Sequence, residues 1–189
     1  LPSFLRQNNW RTRNLVVAGN FNLTNVDELF DVLVQIGQHP KQKSDTVTVL
    51  EKIGHFLDEE NQLRFDALKG QGLDNQDISE RIADTLDLSQ VLKRASSDFD
   101  GGYVMCGMVG HGDAFVMRDP NGIRPAYWYE DDEIVVATSE RPVIQTAFDV
   151  SADDVHEVPR GSALIMRRNG TTAIEEIRPQ GERKACSFE

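Results

Sequence analysis

The octapeptide Arg118-Asp-Pro-Asn-Gly-Ile-Arg-Pro125 lies between two apolar segments, residues 115–117 and 126–129. Pro120 restricts its own φ, and the pair Asn121-Gly122 is typical of turns that need a positive φ. The pattern therefore predicts a rigid tight turn between two strands. Taken alone, such a turn is a common hairpin corner.

The second half of the chain is predicted to consist mostly of strands, because short apolar runs alternate with turn residues. Two of these runs flank a turn at residues 110–113, and Asn169-Gly170 predicts a hairpin with a primed turn. Ser139 can cap a short helix that has Pro142 in its first turn. The predicted strands are residues 13–19, 101–109, 114–117, 126–129, 134–137, 163–166 and 171–174.

The first half is predicted to be largely helical, because apolar residues recur every three or four positions. A first helix begins after Thr24 or Asn25, and a second begins near Ser44 or Asp45. Helices that precede a run of strands, with little βαβ alternation, predict an α+β fold. The apolar faces are Leu29, Phe30, Leu33 and Val34 in the first helix, and Val47, Leu50, Ile53, Phe56 and Leu57 in the second.

The chain has 189 residues, with 31 acidic and 20 basic side chains and a formal net charge of −11. A negative surface repels phosphate backbones, so we exclude nucleic acid as a partner. No apolar run is long enough to cross a bilayer, and the first residues do not form a signal peptide. The two cysteines are far apart in the sequence, which indicates a reducing compartment and predicts a cytoplasmic protein. They have no zinc-ligand spacing, so no metal site is expected. We also expect no membrane partner.

Four segments carry a resemblance to a known family. The octapeptide followed by Ala137-Thr-Ser-Glu140 is similar to a segment of the class II glutamine amidotransferases, most closely the branch that aminates phosphoribosyl pyrophosphate. Val17–Asn25 resembles the oxyanion segment of that family, H-N-G-N-L-x-N, and Ser44-Asp-Thr46 resembles the S-D-T that follows it. Residues 185–189 resemble the entry to the phosphoribosyltransferase domain of that branch.

The resemblance implies the four-layer αββα sandwich of the N-terminal nucleophile hydrolases, in incomplete form. Residues 1–183 would be a partial glutaminase domain, and residues 184–189 would begin the junction to an absent phosphoribosyltransferase domain. Residues 58–98 form a polar helical stretch that looks longer than the connection usual in the family. We therefore expect this stretch to be a surface insertion.

The oxyanion segment implies two catalytic donors. Asn20 would donate its side-chain amide, and Phe21 would donate its backbone N–H, to the oxygen that becomes negative during amide hydrolysis. The sequence departs from the family here, because Gly19 replaces the histidine and Phe21 replaces the glycine. The local alternative is that Asn20 and Asn22 bond their own backbone at a strand end.

Asp45 is the expected substrate-binding residue. In the family, the corresponding aspartate holds the α-ammonium of glutamine, which selects the free amino acid. The local alternative is a helix cap, because serine and aspartate are common at helix starts. Both roles fit if Ser44 caps the helix while Asp45 faces the substrate.

The family nucleophile is a cysteine at the mature N-terminus, whose own α-amine acts as the base. This sequence begins with Leu1, and both of its cysteines are internal. Cys106 lies in an apolar strand pattern and is predicted to be a buried, inert thiol. We therefore expect a piece of a longer enzyme, with the nucleophile absent and with no glutaminase activity of its own.

No cofactor is expected in this polypeptide. Cys186 matches a junction cysteine that ligates an iron–sulfur cluster in some relatives, but further ligands would lie beyond Glu189. The resemblance leaves such a cluster, or Mg²⁺ in the transferase domain, to the parent protein. The four histidines, which have no triad spacing, are predicted to be surface or partly buried residues. They are His39, His55, His111 and His156.

The resemblance implies that the parent releases ammonia from glutamine and transfers it to phosphoribosyl pyrophosphate, giving phosphoribosylamine for purine synthesis. Its partners would be glutamine, the remainder of its own chain and further copies in a homo-oligomer. An asparagine-synthetase-like or sugar-aminating amidotransferase is an alternative. A second alternative, favoured by Gly19 and Phe21, is a non-catalytic module that binds glutamine or another partner.

Overall fold

The computed structural model of the chain describes residues 3–40 and 42–184. Within these ranges the chain forms nine β-strands, five α-helices and two short 3-10 helices. The strands are β1 (Ser3–Arg6), β2 (Leu15–Leu23), β3 (Gly101–Val109), β4 (Ala114–Arg118), β5 (Tyr127–Glu130), β6 (Val135–Thr138), β7 (His156–Glu157), β8 (Ser162–Met166) and β9 (Thr172–Glu176). The α-helices are α1 (Val26–Gln35), α2 (Asp45–Lys69), α3 (Asn75–Thr85), α4 (Leu88–Ala95) and α5 (Arg141–Phe148).

The strands form two antiparallel sheets. The large sheet has the order β1-β2-β3-β4-β8-β9, and the small sheet has the order β6-β5-β7. Every described pairing between neighbouring strands is antiparallel. The predicted α+β class, with helices preceding an antiparallel strand region, is confirmed.

The main core lies between the large sheet and helices α1–α4. Side chains alternate across a strand, so only every second residue of β2 and β3 contacts the helices. Leu15, Val17, Tyr103 and Met105 occupy these positions and are almost fully buried. They belong to one cluster with helical side chains that include Leu50, Ile53 and Leu57. The buried stripe predicted for the second helix is confirmed at these positions and at Val47, whereas Phe56 is only partly buried.

A second apolar cluster joins the two sheets. Val116 and Leu164 of the large sheet are buried there, with Trp128 and Ala137 of the small sheet packed beside them. Because Tyr129 follows Trp128 in the strand, its side chain lies on the opposite face of the small sheet. The Tyr129 ring stacks on Phe148 of α5, with 6.2 Å between ring centroids. Helix α5 therefore packs on the face of the small sheet that points away from the large sheet.

The octapeptide joins the two sheets and is not a hairpin corner. Arg118 ends β4, which pairs with β3 and β8. Tyr127 begins β5, which pairs with β6 and β7 in the other sheet. The predicted turn is present, with the Gly122 N–H donating to Asp119 O and a φ of 67° at Gly122. Among residues 3–40 and 42–184, Asp149 is the only non-glycine residue with a positive φ, so the φ of Asn121 is negative.

Three further predictions need correction in detail. Strand β2 runs four residues past Gly19 to Leu23. The loop between β8 and β9 has a positive φ at Gly170 but not at Asn169. A type I′ turn with Asn169 and Gly170 at its centre needs a positive φ at both residues, so the predicted primed turn is wrong. Glu140, not Ser139, is the residue that precedes the first turn of α5.

Helix α1 begins after Asn25 as predicted, but its apolar face is narrower than predicted. Leu29 and Leu33 are buried, whereas Val34 is 44% exposed. The Asn25 side chain makes no capping bond. It instead bridges to Asp98 O and the Asp100 N–H, which ties the start of α1 to the segment before β3.

Residues 58–98, expected to be a surface insertion, are helical and contribute to the main core. The segment contains the second half of α2, the break at Gly70-Gln-Gly72, α3 and α4. Most of its outward-facing side chains are polar, with Leu63 as an exposed exception, but its buried apolar side chains belong to the same core as those of α1. That the segment is longer here than in relatives stays a prediction. The buried residues are Ile78, Ile82, Leu86, Leu88, Val91 and Leu92.

His111 corrects the prediction that the histidines are surface or partly buried. Its side chain is fully enclosed in the turn between β3 and β4, with Nε2 3.2 Å from Asp113 Oδ2. Burial lowers the pKa of His111, and the neighbouring Asp113 carboxylate opposes this effect; Arg168 and Arg11 lower the pKa further. Arg167 also faces the cluster, and it donates to Asp113 Oδ2.

We expect the free energy of unfolding to fall as the pH drops below about 6.5, the ordinary histidine pKa. The lowered pKa of His111 means that the unfolded chain binds a proton which the folded chain resists, so acid favours unfolding. Urea denaturation at several pH values measures this slope. His111→Gln should flatten it, whereas His39→Gln, at an exposed position, should leave it unchanged; equal slopes for wild type and His111→Gln would contradict the assignment.

Candidate functional site

A cavity of about 400 Å³ lies between the large sheet and one end of the small sheet. Its floor is formed by β2 and β3, and its opposite wall by the end of β6 and the residues that lead into α5. The last two residues of the octapeptide close one side. The lining residues are 18–20, 104–106, Val116, Arg124-Pro125 and 137–140.

Asn20 lies on the cavity face of β2. Leu15, Val17 and Gly19 contact the helices, so alternation along the strand directs Asn20 to the other face. Asn20 is exposed, and its backbone pairs with that of Val104 in β3. Neither Asn20 nor Asn22 bonds its own backbone in the described part of the chain, so the local alternative for these side chains is not what the structure contains.

The Phe21 N–H points away from β3. Asn14 and Thr24 lie directly before and after β2, and both are hydrogen-bonded towards the β3 side: the Gly110 N–H donates to Asn14 O, and the Thr24 N–H donates to Asp100 O. The even-numbered residues of β2 therefore form the backbone bonds to β3. In an antiparallel pair the alternate residues direct their N–H groups to the opposite edge. The Phe21 N–H therefore lies on the β1 side of the strand, beyond Ala18, where the described β1 pairing ends.

Gly19 and Phe21 form a matched pair. A Cβ atom on Gly19 would lie 2.6 Å from Val104 O and 2.7 Å from the Phe21 ring. Both residues face the helices, so the aromatic ring occupies the space above the glycine. The resembling family motif has a large residue and then a glycine at these two positions, and this chain has the reverse order. Phe21 lies in ordinary extended backbone, so a residue with a side chain fits there without backbone strain although the family has glycine.

Asp45 is tied to the same strand. One of its carboxylate oxygens accepts a hydrogen bond from the Leu23 N–H at 3.0 Å. Leu23 and Phe21 are two residues apart, so their N–H groups lie on the same edge of β2. Ser44 precedes the first turn of α2 without a side-chain capping bond, and Asp45 is half-buried in that first turn. Asp45 does not line the cavity beside Asn20, and its substrate role stays a prediction.

Cys106 is exposed and lines the cavity, which corrects the prediction of a buried thiol. It faces away from the helices because Met105 and Gly107 take the buried positions of β3. Its Sγ atom lies 3.6 Å from Ala18 O on the neighbouring strand. The sequence indicated that β3 is a strand, so its side chains must alternate between two faces. Because residues on both faces are apolar, the sequence does not say which face the helices cover. Cys186 and the junction at residues 185–189 lie outside the described residues.

The octapeptide brings a positive charge to the cavity. The Asp119 carboxylate, which is fully buried, accepts hydrogen bonds from the N–H groups of Ile123 and Arg124 at 3.0 and 3.1 Å. The buried Arg118 guanidinium donates to Arg124 O at 2.6 Å. Arg124 is therefore held on both sides of its peptide where it lines the cavity. Sequence reasoning identified the octapeptide as a turn but did not place its last residues at the site.

The residues that link β6 to α5 form the wall opposite Asn20. Thr138, Ser139 and Glu140 line the cavity, and the Thr138 hydroxyl donates to Glu140 O at 2.8 Å. Together with Asn20, Cys106 and Arg124, these residues give the cavity amide, hydroxyl, thiol, carboxylate and guanidinium groups. Such a lining can hold a small polar molecule that carries both charges.

Residues 3–40 and 42–184 contain no group of three or more histidine, cysteine or acidic side chains placed to hold a metal ion. No helix among them is both long and apolar enough to span a bilayer.

We expect Gly19→Ala to destabilise the chain by roughly 1–3 kcal/mol, because the new methyl group would overlap backbone and ring atoms. Chemical denaturation measures the change. Gly70→Ala is the matched control, since a Cβ atom there meets nothing closer than 3.5 Å and the backbone is already helical. A Gly19→Ala variant as stable as Gly70→Ala would show that the packing of Phe21 over Gly19 is not tight.

Known proteins resemble this chain in sequence and in structure. No family profile matches the chain. The curated amidophosphoribosyltransferase of Pasteurella multocida (strain Pm70) is 26% identical over 181 residues, which cover 93% of this chain and 32% of that protein.

Two solved structures also match. A glutamine phosphoribosylpyrophosphate amidotransferase from B. subtilis, in complex with ADP and GMP, superposes with a TM-score of 0.66 at 25% identity over 99% of this chain. A structure described as the allosteric regulatory enzyme of purine biosynthesis has a TM-score of 0.65 at 24% identity. The chain spans about a third of the length of each of these proteins. Its mixed helical and antiparallel-sheet fold is thus shared with these structures, and the chain is similar to amidophosphoribosyltransferases over about one third of their length.

Proposed function

We propose that this chain is most of the glutaminase domain of an amidophosphoribosyltransferase. The parent enzyme would release ammonia from glutamine and pass it to phosphoribosyl pyrophosphate, giving phosphoribosylamine in purine synthesis. The observation that carries the proposal is the position of Asn20. Its side chain lies on the open floor of a polar cavity, in a segment that resembles the oxyanion motif of this family.

In this proposal, Asn20 and Phe21 stabilise the tetrahedral intermediate. The Asn20 amide approaches from the cavity face, and the Phe21 N–H approaches from the β1 edge of the same strand. Each preorganised donor of this kind contributes roughly 3 kcal/mol of barrier lowering. Gly19 and Phe21 do not weaken the hole, because a backbone donor is independent of the side chain.

Asp45 supplies the selection of free glutamine. Its bond to the Leu23 N–H fixes the carboxylate at the edge of β2 that also carries the Phe21 N–H. A negative group held beside an oxyanion hole favours a substrate with a charged α-ammonium. A glutamine residue within a protein has no such group, so this contact distinguishes the two.

The proposed fold is the four-layer sandwich, incomplete in this polypeptide. The small sheet has three described strands, with β6 at the edge beside the cavity. Beyond that edge the large sheet exposes Leu5 and Met108, which are 59% and 52% accessible. Leu5 and Met108 flank Val16 of β2 in one row across the sheet, and such a row of large apolar side chains is normally covered. We propose that other parts of the same polypeptide, including the nucleophile segment, complete this layer, and that the parent is a cytoplasmic homo-oligomer with a phosphoribosyltransferase domain.

The polypeptide alone is proposed to be inactive towards glutamine. Its two cysteines are Cys106 and Cys186, and both are internal. An internal cysteine has no α-amine of its own to act as the base. Cys106 shares the cavity with Asn20, which makes it a useful thiol label but not a nucleophile of this family.

We expect Asn20→Ala in the full-length protein to lower the glutamine-dependent rate by roughly 10²–10³-fold. Ammonia-dependent synthesis bypasses the oxyanion hole and should be unchanged. Asn20→Asp should lose at least as much, because it keeps the size of the side chain but replaces the donor with a negative charge. Assays with glutamine and with ammonium chloride, each following phosphoribosylamine formation, measure the two rates.

Two controls make this test specific. Asn75→Ala, at an exposed position of α3, should leave both rates intact, and residues 1–189 alone should yield no glutamate. Equal losses with glutamine and ammonia would remove Asn20 from the oxyanion hole. A full-length protein that binds glutamine without releasing ammonia would instead support a non-catalytic binding module, and transfer to another acceptor would point to a sugar-aminating or asparagine-forming enzyme.

A further inference from the structure

The octapeptide holds the last described segment of the chain as well as the cavity. The Gly181 N–H donates to Pro120 O, and the Lys184 N–H donates to Asn121 O, both at 2.9 Å. In the opposite direction, the Asn121 side-chain amide donates to Glu182 O at 2.8 Å. Three hydrogen bonds thus fasten residues 181–184 to two consecutive residues of the octapeptide.

This attachment requires an unusually close approach. A Cβ atom on Gly181 would lie 2.6 Å from the Asn121 side-chain nitrogen. Arg160 supports the same position, since its guanidinium donates to Gly181 O at 2.9 Å. A side chain at residue 181 would therefore displace the Asn121 amide from its position against Glu182 O.

One carboxylate connects this attachment to the cavity. Asp119 Oδ1 accepts from the N–H groups of Asn121 and Ile123, each at 3.0 Å, and Asp119 Oδ2 accepts from the Arg124 N–H at 3.1 Å. Asn121 grips the C-terminal segment, and Arg124 lines the cavity. A displacement of Asn121 must therefore rearrange the same buried carboxylate that positions Arg124.

We propose that Asn121 is a positioning residue that couples residues 181–184 to Arg124-Pro125 at the cavity. When residues 181–184 rest on Asn121, the Asp119 bonds hold Arg124 in place. When the segment is released, those bonds loosen and the cavity wall becomes mobile. Any part of the polypeptide that pulls on residue 184 thereby alters the cavity. The catalytic consequence rests on the proposed function, but the mechanical link does not.

Hydrogen exchange of the full-length protein, resolved to single amides and measured without substrate, tests the link. Asn121→Asp replaces the donor to Glu182 O with an acceptor, and Gly181→Ala introduces the close contact. Both variants should accelerate exchange at Gly181 and Lys184, and should also accelerate exchange at Ile123 and Arg124 by about tenfold, the signature of a shared local opening. Glu182→Gln is the matched control, because residue 182 contributes only its backbone oxygen.

Val109 reports general stability, since its N–H donates to Asp113 O at a distant turn of the sheet. The coupling is supported if the variants accelerate exchange, relative to the wild-type protein, more at Ile123 and Arg124 than at Val109. This difference should appear in both variants but not in Glu182→Gln. Unchanged Ile123 and Arg124 amides beside a released Gly181 and Lys184 would overturn it, as would equal acceleration at all of these positions including Val109. These readouts do not depend on whether the protein hydrolyses glutamine, so failure of the proposed function and failure of the link are separable.

Discussion

The buried carboxylate of Asp119 is the interaction on which the arrangement of the two sheets depends. It accepts hydrogen bonds from the backbone N–H groups of Asn121, Ile123 and Arg124, and the Asp119 N–H itself donates to Tyr103 O in β3. A buried carboxylate is costly unless such donors surround it. Here the donors all come from one short segment, so the charge forces that segment into a single path from the large sheet to the small one.

The cavity is a consequence of this path. The chain leaves β4 on the face opposite to the helices and enters β5 above the same face, so the small sheet covers β4 and β8 but leaves part of β2 and β3 open. Asn20 lies on that open part because side chains alternate along β2. Two features thus position the polar side chains of the site. The buried turn places the small sheet over the large sheet, and the alternation of side chains along β2 directs Asn20 into the uncovered part.

Much of the fold was predictable from the sequence, because the signals were local. The stripe of α2 and the extent of β3 follow from periodicity within one element. What failed were features set by tertiary packing. A turn built on Asn121-Gly122 has the same local chemistry whether it closes a hairpin or joins two sheets. Likewise, the sequence of β3 does not say that Cys106 faces a cavity and Met105 faces helices. Asn20 and Asp45 were found only through motif resemblance, since neither stands out by composition.

The free energy of unfolding of Asp119→Asn, measured against Asp131→Asn, tests the central role of the Asp119 carboxylate most directly. Asp131 is a matched control, because it likewise accepts backbone N–H bonds within a turn, two of them, from Glu133 and Ile134, but does so at the surface. The account predicts a loss of roughly 3 kcal/mol for Asp119→Asn, because an amide nitrogen would face the N–H donors in a buried site. It predicts a far smaller loss for Asp131→Asn. Similar losses for the two variants would contradict it.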